Sequence, residues 1–181
     1  MDDPRKELLK RLRRQQAEME DARREHETRW REIAAWFNPR RNFIIEREPG
    51  ALRQRRIVDT TASIAAERLA ALLQGYMMSP YDPWIAPMLI NRDPSRAEEE
   101  WFEATQGDMH RFLTGAQSSF RMSSYETLRD AVDYGNGVQE AGTAMKGGKV
   151  VFKSIPLIEC FWRENEDCVI DTLHRKYHLP A

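Results

Sequence analysis

The sequence predicts an α+β fold in which a long N-terminal helix and further helical segments precede antiparallel β-hairpins. Residues 3–37 contain no glycine and no proline other than Pro4, so one helix is expected to run through them. Beyond residue 137 the helical spacing of apolar residues gives way to strand-like runs around a Gly-Gly turn. We therefore divide the chain into a long N-terminal helix (1–38), a helical region (39–137) and a β-hairpin region (138–181).

The first helix should be a rod of roughly 50 Å, since each residue adds about 1.5 Å. Pro4 suits its first turn and Asn38-Pro39 ends it. An apolar stripe at helical spacing predicts its buried side, and the stripe consists of Leu8, Leu12, Met19, His26, Trp30, Ile33 and Phe37. Gln16 and Arg23 interrupt this stripe, so we expect weaker packing midway along the helix.

A basic, irregular connection with a Pro49-Gly50 turn leads to a second helix, which Asp59 or Thr60 can cap. Its predicted buried face is rich in alanine, which lets a partner helix approach closely; the face holds Ala62, Ala65, Ala66, Leu69, Leu73 and Tyr76. On this basis Leu69→Asp should abolish folding or assembly. Trp84 follows in a turn and is expected in the core.

Two capping-box patterns, Ser95-x-x-Glu98 and Ser123-x-x-Glu126, predict the starts of a third and a fourth helix. The predicted buried stripe of the third helix is Trp101, Thr105, Met109, Phe112, Leu113 and Ala116. The fourth should bury Leu128 and Val132, leave Arg129 and Asp130 in solvent, and stop at Gly135-Asn136-Gly137.

The last region reads as two hairpins. Residues 138–145 and 150–155 flank a Lys-Gly-Gly-Lys turn, and residues 157–163 and 168–175 form the second pair. If that second hairpin turns around residues 165–167, Cys160 lies opposite Asp171 and Cys168 opposite Arg163. A disulfide between the two cysteines would then be strained, so both are expected to be reduced, as in a cytosol-like compartment.

No membrane-spanning helix is predicted, because no apolar run approaches the ~20 residues that a bilayer requires. The net charge of −1 conceals an asymmetry. Residues 1–56 hold 16 basic and 11 acidic side chains, a balance of +5, and the remainder holds 12 and 18, a balance of −6. Such an asymmetry is typical either of contact with an acidic partner, nucleic acid included, or of a solvated helix of mixed charge. The basic runs lie at residues 11–14, 40–41 and 53–56.

No motif predicts catalysis, a cofactor or a metal. The histidines are scattered (His26, His110, His174 and His178), and the Lys-Gly-Gly-Lys turn lacks the spacing of a phosphate loop. Four acidic residues could form a two-metal nuclease site, but nothing supplies the rest of that motif; they are Asp130, Asp133, Glu140 and Asp171. The tryptophans are expected first in cores or interfaces and second as base-stacking platforms; they are Trp30, Trp36, Trp84, Trp101 and Trp162.

Several segments, in order, resemble the head-to-tail connecting (portal) proteins of short-tailed, podovirus-type phages. They are Trp-Arg-Glu-Ile-Ala, the Asp-Thr-Thr-Ala helix ending in Gly-Tyr-Met-Met-Ser-Pro with Pro-Trp after it, Asp-Tyr-Gly-Asn-Gly-Val, Phe-x-x-Ile-Pro-Leu-x-Glu, and Asp-Thr-Leu-His-Arg-Lys-Tyr. The resemblance covers nearly the whole chain, apart from about the first twenty residues. It implies a portal wing-like fold with no catalytic residues, and no cofactor.

The resemblance further implies a homo-oligomeric, dodecameric ring at one capsid vertex, through which genomic double-stranded DNA is packaged and ejected. Its expected partners are a major capsid or scaffolding protein, the packaging motor and a tail adaptor, without a membrane. Its expected location is the portal vertex of the virion, after synthesis in the host bacterial cytoplasm. Members of the family continue beyond the matched region into stem and clip segments, so this chain is expected to be an N-terminal portion.

Two alternatives come from other classes of protein. A stand-alone nucleic-acid-binding module would use the basic N-terminal third and would bind duplexes with a steep salt dependence. A small metal-dependent nuclease would lose Mg²⁺-dependent cleavage on the change Asp130→Asn.

Overall fold

The computed structural model of the chain describes residues 4–38, 59–115, 117–143 and 150–177. Its helices are α1 (Pro4–Phe37), α2 (Thr61–Met77), α3 (Arg96–Thr114) and α4 (Phe120–Tyr134). Its strands are β1 (Val138–Thr143), β2 (Val150–Ile155), β3 (Cys160–Glu164) and β4 (Ile170–Arg175), with a 3-10 turn at Leu157–Glu159 before β3. The order of helices and then two antiparallel hairpins, β1-β2 and β3-β4, confirms the predicted α+β class. The predicted turns at residues 49–50 and 146–149 lie outside the described residues.

The chain forms two compact units. The first combines Met1–Ser63 with Ile155–Ala181, and the second is the intervening stretch Ile64–Ser154. In the first unit α1 packs against β3. Its buried apolar residues are Met19, Trp30, Ala34, Ile155, Leu157, Cys160 and Phe161. The rings of Trp30 and Trp162 meet with centroids 5.9 Å apart, which seals one side of this contact.

The predicted long helix is confirmed, but its predicted buried stripe holds only in part. Met19 and Trp30 are buried as expected, whereas Leu8 and Leu12 are exposed. These leucines precede the stretch of α1 that meets β3, so the described part of the chain leaves them in solvent. The side chain of Phe37 lies outside the described residues.

The predicted register of the β3-β4 hairpin is wrong. Cys160 lies opposite Arg175, not opposite Asp171, and Arg163 lies opposite Thr172, not opposite Cys168. The cause is a wider turn than the residues 165–167 that we expected. Asn165 organises it, since its side-chain Oδ1 accepts hydrogen bonds from the backbone N–H groups of Asp167 and Val169, both at 2.9 Å. Both cysteines are free, as predicted, and the structure buries Cys160 and exposes Cys168.

The second unit is centred on aromatic contacts around the start of α4. Trp84 stacks on Phe120 with ring centroids 5.7 Å apart, and Phe120 meets Phe152 edge-on at 5.0 Å. Trp84, which was expected in the core, is half-buried beside these rings. The hydroxyl of Ser119 accepts a hydrogen bond from the Phe152 N–H at 2.8 Å, which ties strand β2 to the beginning of α4.

The predicted buried faces of α2 and α3 are corrected by the structure. In α2 the buried residue is Ala70, which is 0% exposed. Leu69 and Tyr76, which were predicted to be buried, are 48% and 86% exposed. Ala62 and Ala65 are exposed as well. In α3 the buried residue is His110, and Trp101, Met109 and Phe112 are exposed. Each helix carries apolar residues on more than one side, so spacing alone selected the wrong side. Ala116 lies outside the described residues.

The start and the buried side of α4 also differ from the prediction. The helix begins at Phe120 after Ser119, so Ser123 is an internal, buried residue and the second capping box does not form. Arg129 and Asp130, expected in solvent, are 7% and 1% exposed. Arg129 Nε donates to Asp133 Oδ2 at 2.8 Å, so pairing between side chains offsets the burial of its charge.

The predicted stop of α4 is confirmed. Gly135 takes a φ of +84°, a left-handed conformation that favours glycine, and its N–H donates to Ala131 O at 2.9 Å. Gly137 is required for a different reason. A Cβ at this position would lie 2.3 Å from Thr127 O, so a larger residue would push β1 away from α4.

Candidate assembly surfaces

Arg23 is the central contact between α1 and the β3-β4 hairpin. One guanidinium nitrogen, Nη1, donates to the carbonyl oxygens of Ile158 at 2.8 Å, Cys160 at 3.0 Å and Leu157 at 3.3 Å. The other, Nη2, pairs with Glu27 one turn further along α1. The guanidinium also lies 3.8 Å over the ring of Phe161. Arg23, which we expected to weaken the packing, is therefore the residue that fixes the hairpin on α1.

Further polar contacts extend this attachment toward the N-terminus of α1. His174 and Gln16 share a hydrogen bond of 2.9 Å. Lys176 Nζ lies 2.9 Å from Glu20 Oε1. The hydrogen bond from the Gln16 amide, together with Lys176, lowers the pKa of Glu20. The hairpin is thus held along about three turns of α1, from Gln16 to Glu27.

Two open grooves flank this contact. One, of about 420 Å³, runs beside the Trp30–Trp162 pair and has Glu18, His26 and Glu164 in its wall. The other, of about 810 Å³, lies where Leu9 and Leu12 of α1 face Leu173 and Tyr177 of the hairpin. The second groove is wide, with an apolar floor and basic side chains at its edge, as suits a protein surface better than a small molecule.

The histidines that we considered as ligands or bases make structural contacts. His26 stacks on Trp30 with ring centroids 5.9 Å apart, and His110 Nε2 is 3.1 Å from Ser79 O. His174 is bonded to Gln16, and His178 lies outside the described residues. Within the described ranges, no three His, Cys, Asp or Glu side chains are grouped so that they could hold a metal ion.

The four acidic residues of the nuclease hypothesis are not brought together as a set. Asp130 and Asp133 are in α4, where Asp133 is engaged by Arg129, and Glu140 follows in β1. Asp171 belongs to β4 in the other unit and faces Arg163 at 3.9 Å. Asp130, predicted to lie on a solvated surface, is buried.

The tryptophans divide into core and surface positions. Trp30, Trp84 and Trp162 make the ring contacts described above, whereas Trp36 and Trp101 are exposed.

Of the basic runs, residues 11–14 are exposed in α1, and residues 40–41 and 53–56 lie outside the described residues.

Large apolar side chains are exposed on every helix of the described chain. Where such side chains lie together on one face, they are typical of surfaces that bind other proteins. They include Leu8, Leu9 and Leu12 on α1, Ile64, Leu72 and Tyr76 on α2, Trp101 and Phe112 on α3, and Met122 on α4. The exposed apolar sides of the helices are therefore those expected of a protein that packs against other chains.

Comparison with known families agrees with this class. Residues 9–181 match the family of bacteriophage head to tail connecting proteins, and the chain belongs to that family. A search of curated proteins gave no match. The resemblance inferred from the ordered segments is thus confirmed, and the match extends into the N-terminal residues that we had left out.

Membership makes the chain a structural connector of a phage, virion-associated, from a family of structural proteins and not of enzymes. It also implies assembly with other head and tail components of the phage. None of the described helices combines the length and apolarity that a membrane crossing requires.

Proposed function

We propose that the chain forms part of a ring-shaped portal at one capsid vertex, through which genomic double-stranded DNA enters during packaging and leaves during ejection. The observation that carries this proposal is the family match over residues 9–181. A portal needs surfaces for neighbouring copies, and the exposed apolar faces of α1, α2 and α3 suit that requirement.

The partners in this proposal are other copies of the chain in a dodecameric ring, a capsid or scaffolding protein, the packaging motor and a tail adaptor. The channel would carry the DNA, and the chain would act at the portal vertex after synthesis in the host cytoplasm. The three-part division at residues 38 and 137 belongs to the same proposal. In it the helical region forms part of the wing, and the hairpin region continues it.

Deleting the gene from the phage that encodes the chain tests the proposal. Lysates should then contain heads without DNA and without attached tails in negative-stain electron microscopy, and packaged DNA protected from nuclease should fall to background. Supplying the chain in trans should restore both, whereas a copy with an early stop codon should restore neither. Tailed, DNA-filled particles formed without the chain would contradict the proposal.

A further inference from the structure

The junction between α4 and β1 is an asparagine-glycine pair that is open to solvent. Asn136 and Gly137 lie between the end of α4 at Tyr134 and the start of β1 at Val138, outside both elements, and both are exposed. Among the hydrogen bonds of the described chain, none involves the Asn136 side-chain amide or the Gly137 N–H. The side-chain amide and the backbone nitrogen that follows it are therefore accessible to each other and to water.

Packing requires a glycine at the second position of this pair. A Cβ on residue 137 would clash with the carbonyl oxygen of Thr127 and would lie 2.8 Å from its Cγ2. Thr127 is an internal residue of α4 whose hydroxyl donates to Ser123 O at 2.9 Å, so it cannot move aside without disturbing the helix. A side chain at position 137 would shield the backbone nitrogen, whereas glycine leaves it accessible. The fold thus fixes beside Asn136 the residue that protects an asparagine least.

We infer that Asn136 is a site of spontaneous deamidation in the folded protein, independently of the proposed portal function. The Gly137 nitrogen attacks Asn136 Cγ, a new N–Cγ bond closes a succinimide ring, and the Cγ–Nδ2 bond breaks. The proton of the Gly137 N–H leaves with Nδ2 as ammonia. Water then opens the ring at one of its carbonyl carbons, which gives aspartate or isoaspartate. The overall reaction consumes water and releases ammonia, without any change of oxidation state.

Asn165, which is also exposed in a turn, provides the structural contrast. Its Oδ1 accepts hydrogen bonds from the backbone N–H groups of Asp167 and Val169, both at 2.9 Å, and a glutamate follows it in the chain. Those hydrogen bonds hold the side chain in place, and the glutamate side chain covers the nitrogen that would have to attack. We therefore expect Asn136 to react faster than Asn165.

The remaining described asparagines are Asn38 and Asn91. Asn38 precedes a proline, whose nitrogen carries no proton, so the same ring closure is blocked. Asn91 is exposed, but the long side chain of an arginine follows it. Asn136 alone among the described asparagines precedes a glycine.

Isoaspartate at this junction would alter the backbone as well as the charge. The main chain of an isoaspartate runs through the former side-chain carbon, so it is one atom longer before Gly137. Because Gly137 fits against Thr127 without room for a methyl group, the added atom should displace it and weaken the attachment of β1 to α4. Aspartate at the same position would add the charge alone.

Ageing of the purified chain in mildly alkaline buffer at physiological temperature tests the inference. The tryptic peptide of residues 130–146 contains Asn136 as its single asparagine. This peptide should gain the mass that accompanies replacement of an NH₂ group by OH, and fragment masses should place the change on residue 136. Protein-isoaspartate methyltransferase should label the aged peptide and not the fresh one.

Two controls are built into the same digest. The peptide of residues 164–175 carries Asn165 and should keep its mass over the same period. The peptide 130–146 also contains Gln139, and the variant Asn136→Ser removes the reactive amide while leaving that glutamine in place. Its peptide should keep its mass, and circular dichroism should show that the fold is unchanged, since the side chain of Asn136 is exposed.

Urea unfolding tests the predicted effect on the backbone. The isoaspartate-containing fraction of the aged protein, separated by ion-exchange chromatography, should unfold at a lower urea concentration than the variant Asn136→Asp. That variant carries the new charge without the added backbone atom. Equal midpoints for the two proteins would contradict the displacement of Gly137.

Each of three results would overturn the assignment of the site. Asn136 could stay intact in the aged protein, or the Asn165 peptide could change as fast as the Asn136 peptide. Deamidation of Asn136 in urea but not in buffer would mean that the fold protects this asparagine instead of exposing it.

Discussion

Arg23 shows how much a single charged residue can organise in this chain. Its guanidinium serves three carbonyl oxygens at the point where the chain passes from the 3-10 turn into β3. Leu157 O also accepts the N–H of Cys160, so the arginine adds a second donor there. Glu27 balances the charge of the guanidinium.

Arg23→Met should lower the free energy of unfolding by about 2–4 kcal/mol, because it keeps most of the volume but removes a donor from the carbonyl oxygens of Ile158 and Cys160. It also leaves Glu27 with the longer pair to Arg31, at 3.5 Å. The Arg23 side chain is only 9% exposed, so solvent cannot replace it. Urea unfolding followed by circular dichroism measures the loss. The neighbouring Arg24, with a side chain 78% exposed, provides the control, and Arg24→Met should change stability by no more than about 0.5 kcal/mol. Equal effects of the two changes would contradict the role assigned to Arg23.

The sequence did not reveal this role, and the reason is physical. An arginine within the apolar stripe of a helix looks like an interruption of that stripe. The spacing of residues along one helix gives no information about the carbonyl groups that a distant segment places beside it. The one available hint was Glu27 four residues on, a spacing that pairs charges on a helix. Asp130 was misread for the same reason, since burial of a carboxylate depends on partners that are remote in sequence.

At the scale of elements, the existence of the helices and hairpins was predictable and the orientation of the helices was not. The capping pattern at Ser95 and the glycines after Tyr134 are local signals, and each marked a boundary that the structure confirms. Which side of α2 or α3 is buried depends on neighbours instead. Helices with apolar residues on two sides satisfy more than one orientation, and only packing selects between them.

The start of α3 gives a pH-dependent prediction. Glu98 accepts hydrogen bonds from Arg92, from the Ser95 N–H at 2.8 Å and from the Ser95 hydroxyl at 2.9 Å. The Arg92 guanidinium first, and then Ser95, lower the pKa of Glu98 to about 2. A carboxylate with a depressed folded-state pKa stabilises the fold fully above its unfolded pKa of about 4.3. That contribution is lost as the pH falls from there toward 2.

Carbon-detected NMR titration should therefore place the Glu98 midpoint close to pH 2. Glu98→Gln should remove the part of the acid destabilisation that arises at the start of α3. Glu99→Gln leaves the Arg92–Glu98 pair in place and serves as the control, which should lose stability with acid as wild type does. A Glu98 midpoint above pH 4 would show that the pair with Arg92 does not form in solution.

At the scale of the whole molecule, the two cysteines make the opening of the first unit measurable. The thiol of Cys160 belongs to the core of the first unit and is 0% exposed, whereas Cys168 stands in the open turn between β3 and β4. One cysteine therefore reports the surface, and the other reports opening of the unit.

Ellman's reagent should label one thiol per chain rapidly under native conditions, and the second only at the rate at which the first unit opens. Cys168→Ser should abolish the rapid phase and leave the slow one. Two rapid thiols per chain would mean that β3 does not pack on α1 as described. Combining Cys168→Ser with Arg23→Met should speed the remaining slow phase, because the contact that holds the hairpin on α1 is then gone.

The family could be predicted from the sequence because its ordered segments are spread along nearly the whole chain. The surfaces on which a portal would depend could not, since the residues that we expected to be buried, among them Leu12, Leu69 and Trp101, are exposed in the single chain. Apolar spacing predicts that a side chain is buried, but it does not show whether the same chain or another molecule buries it.

The division of the first unit between the two ends of the chain bears on how the protein is made. A ribosome releases α1 long before β3 and β4 exist, so the helix has no hairpin to pack against while the Ile64–Ser154 unit is being synthesised. Domains usually fold in the order in which they emerge, and here that order is inverted. The middle of the chain can complete its core first, and the N-terminal helix must wait for residues synthesised more than a hundred positions later, with Arg23 finding its acceptors at Leu157 and Ile158. During that interval Met19 and Trp30, which are buried in the finished unit, lack the hairpin that covers them.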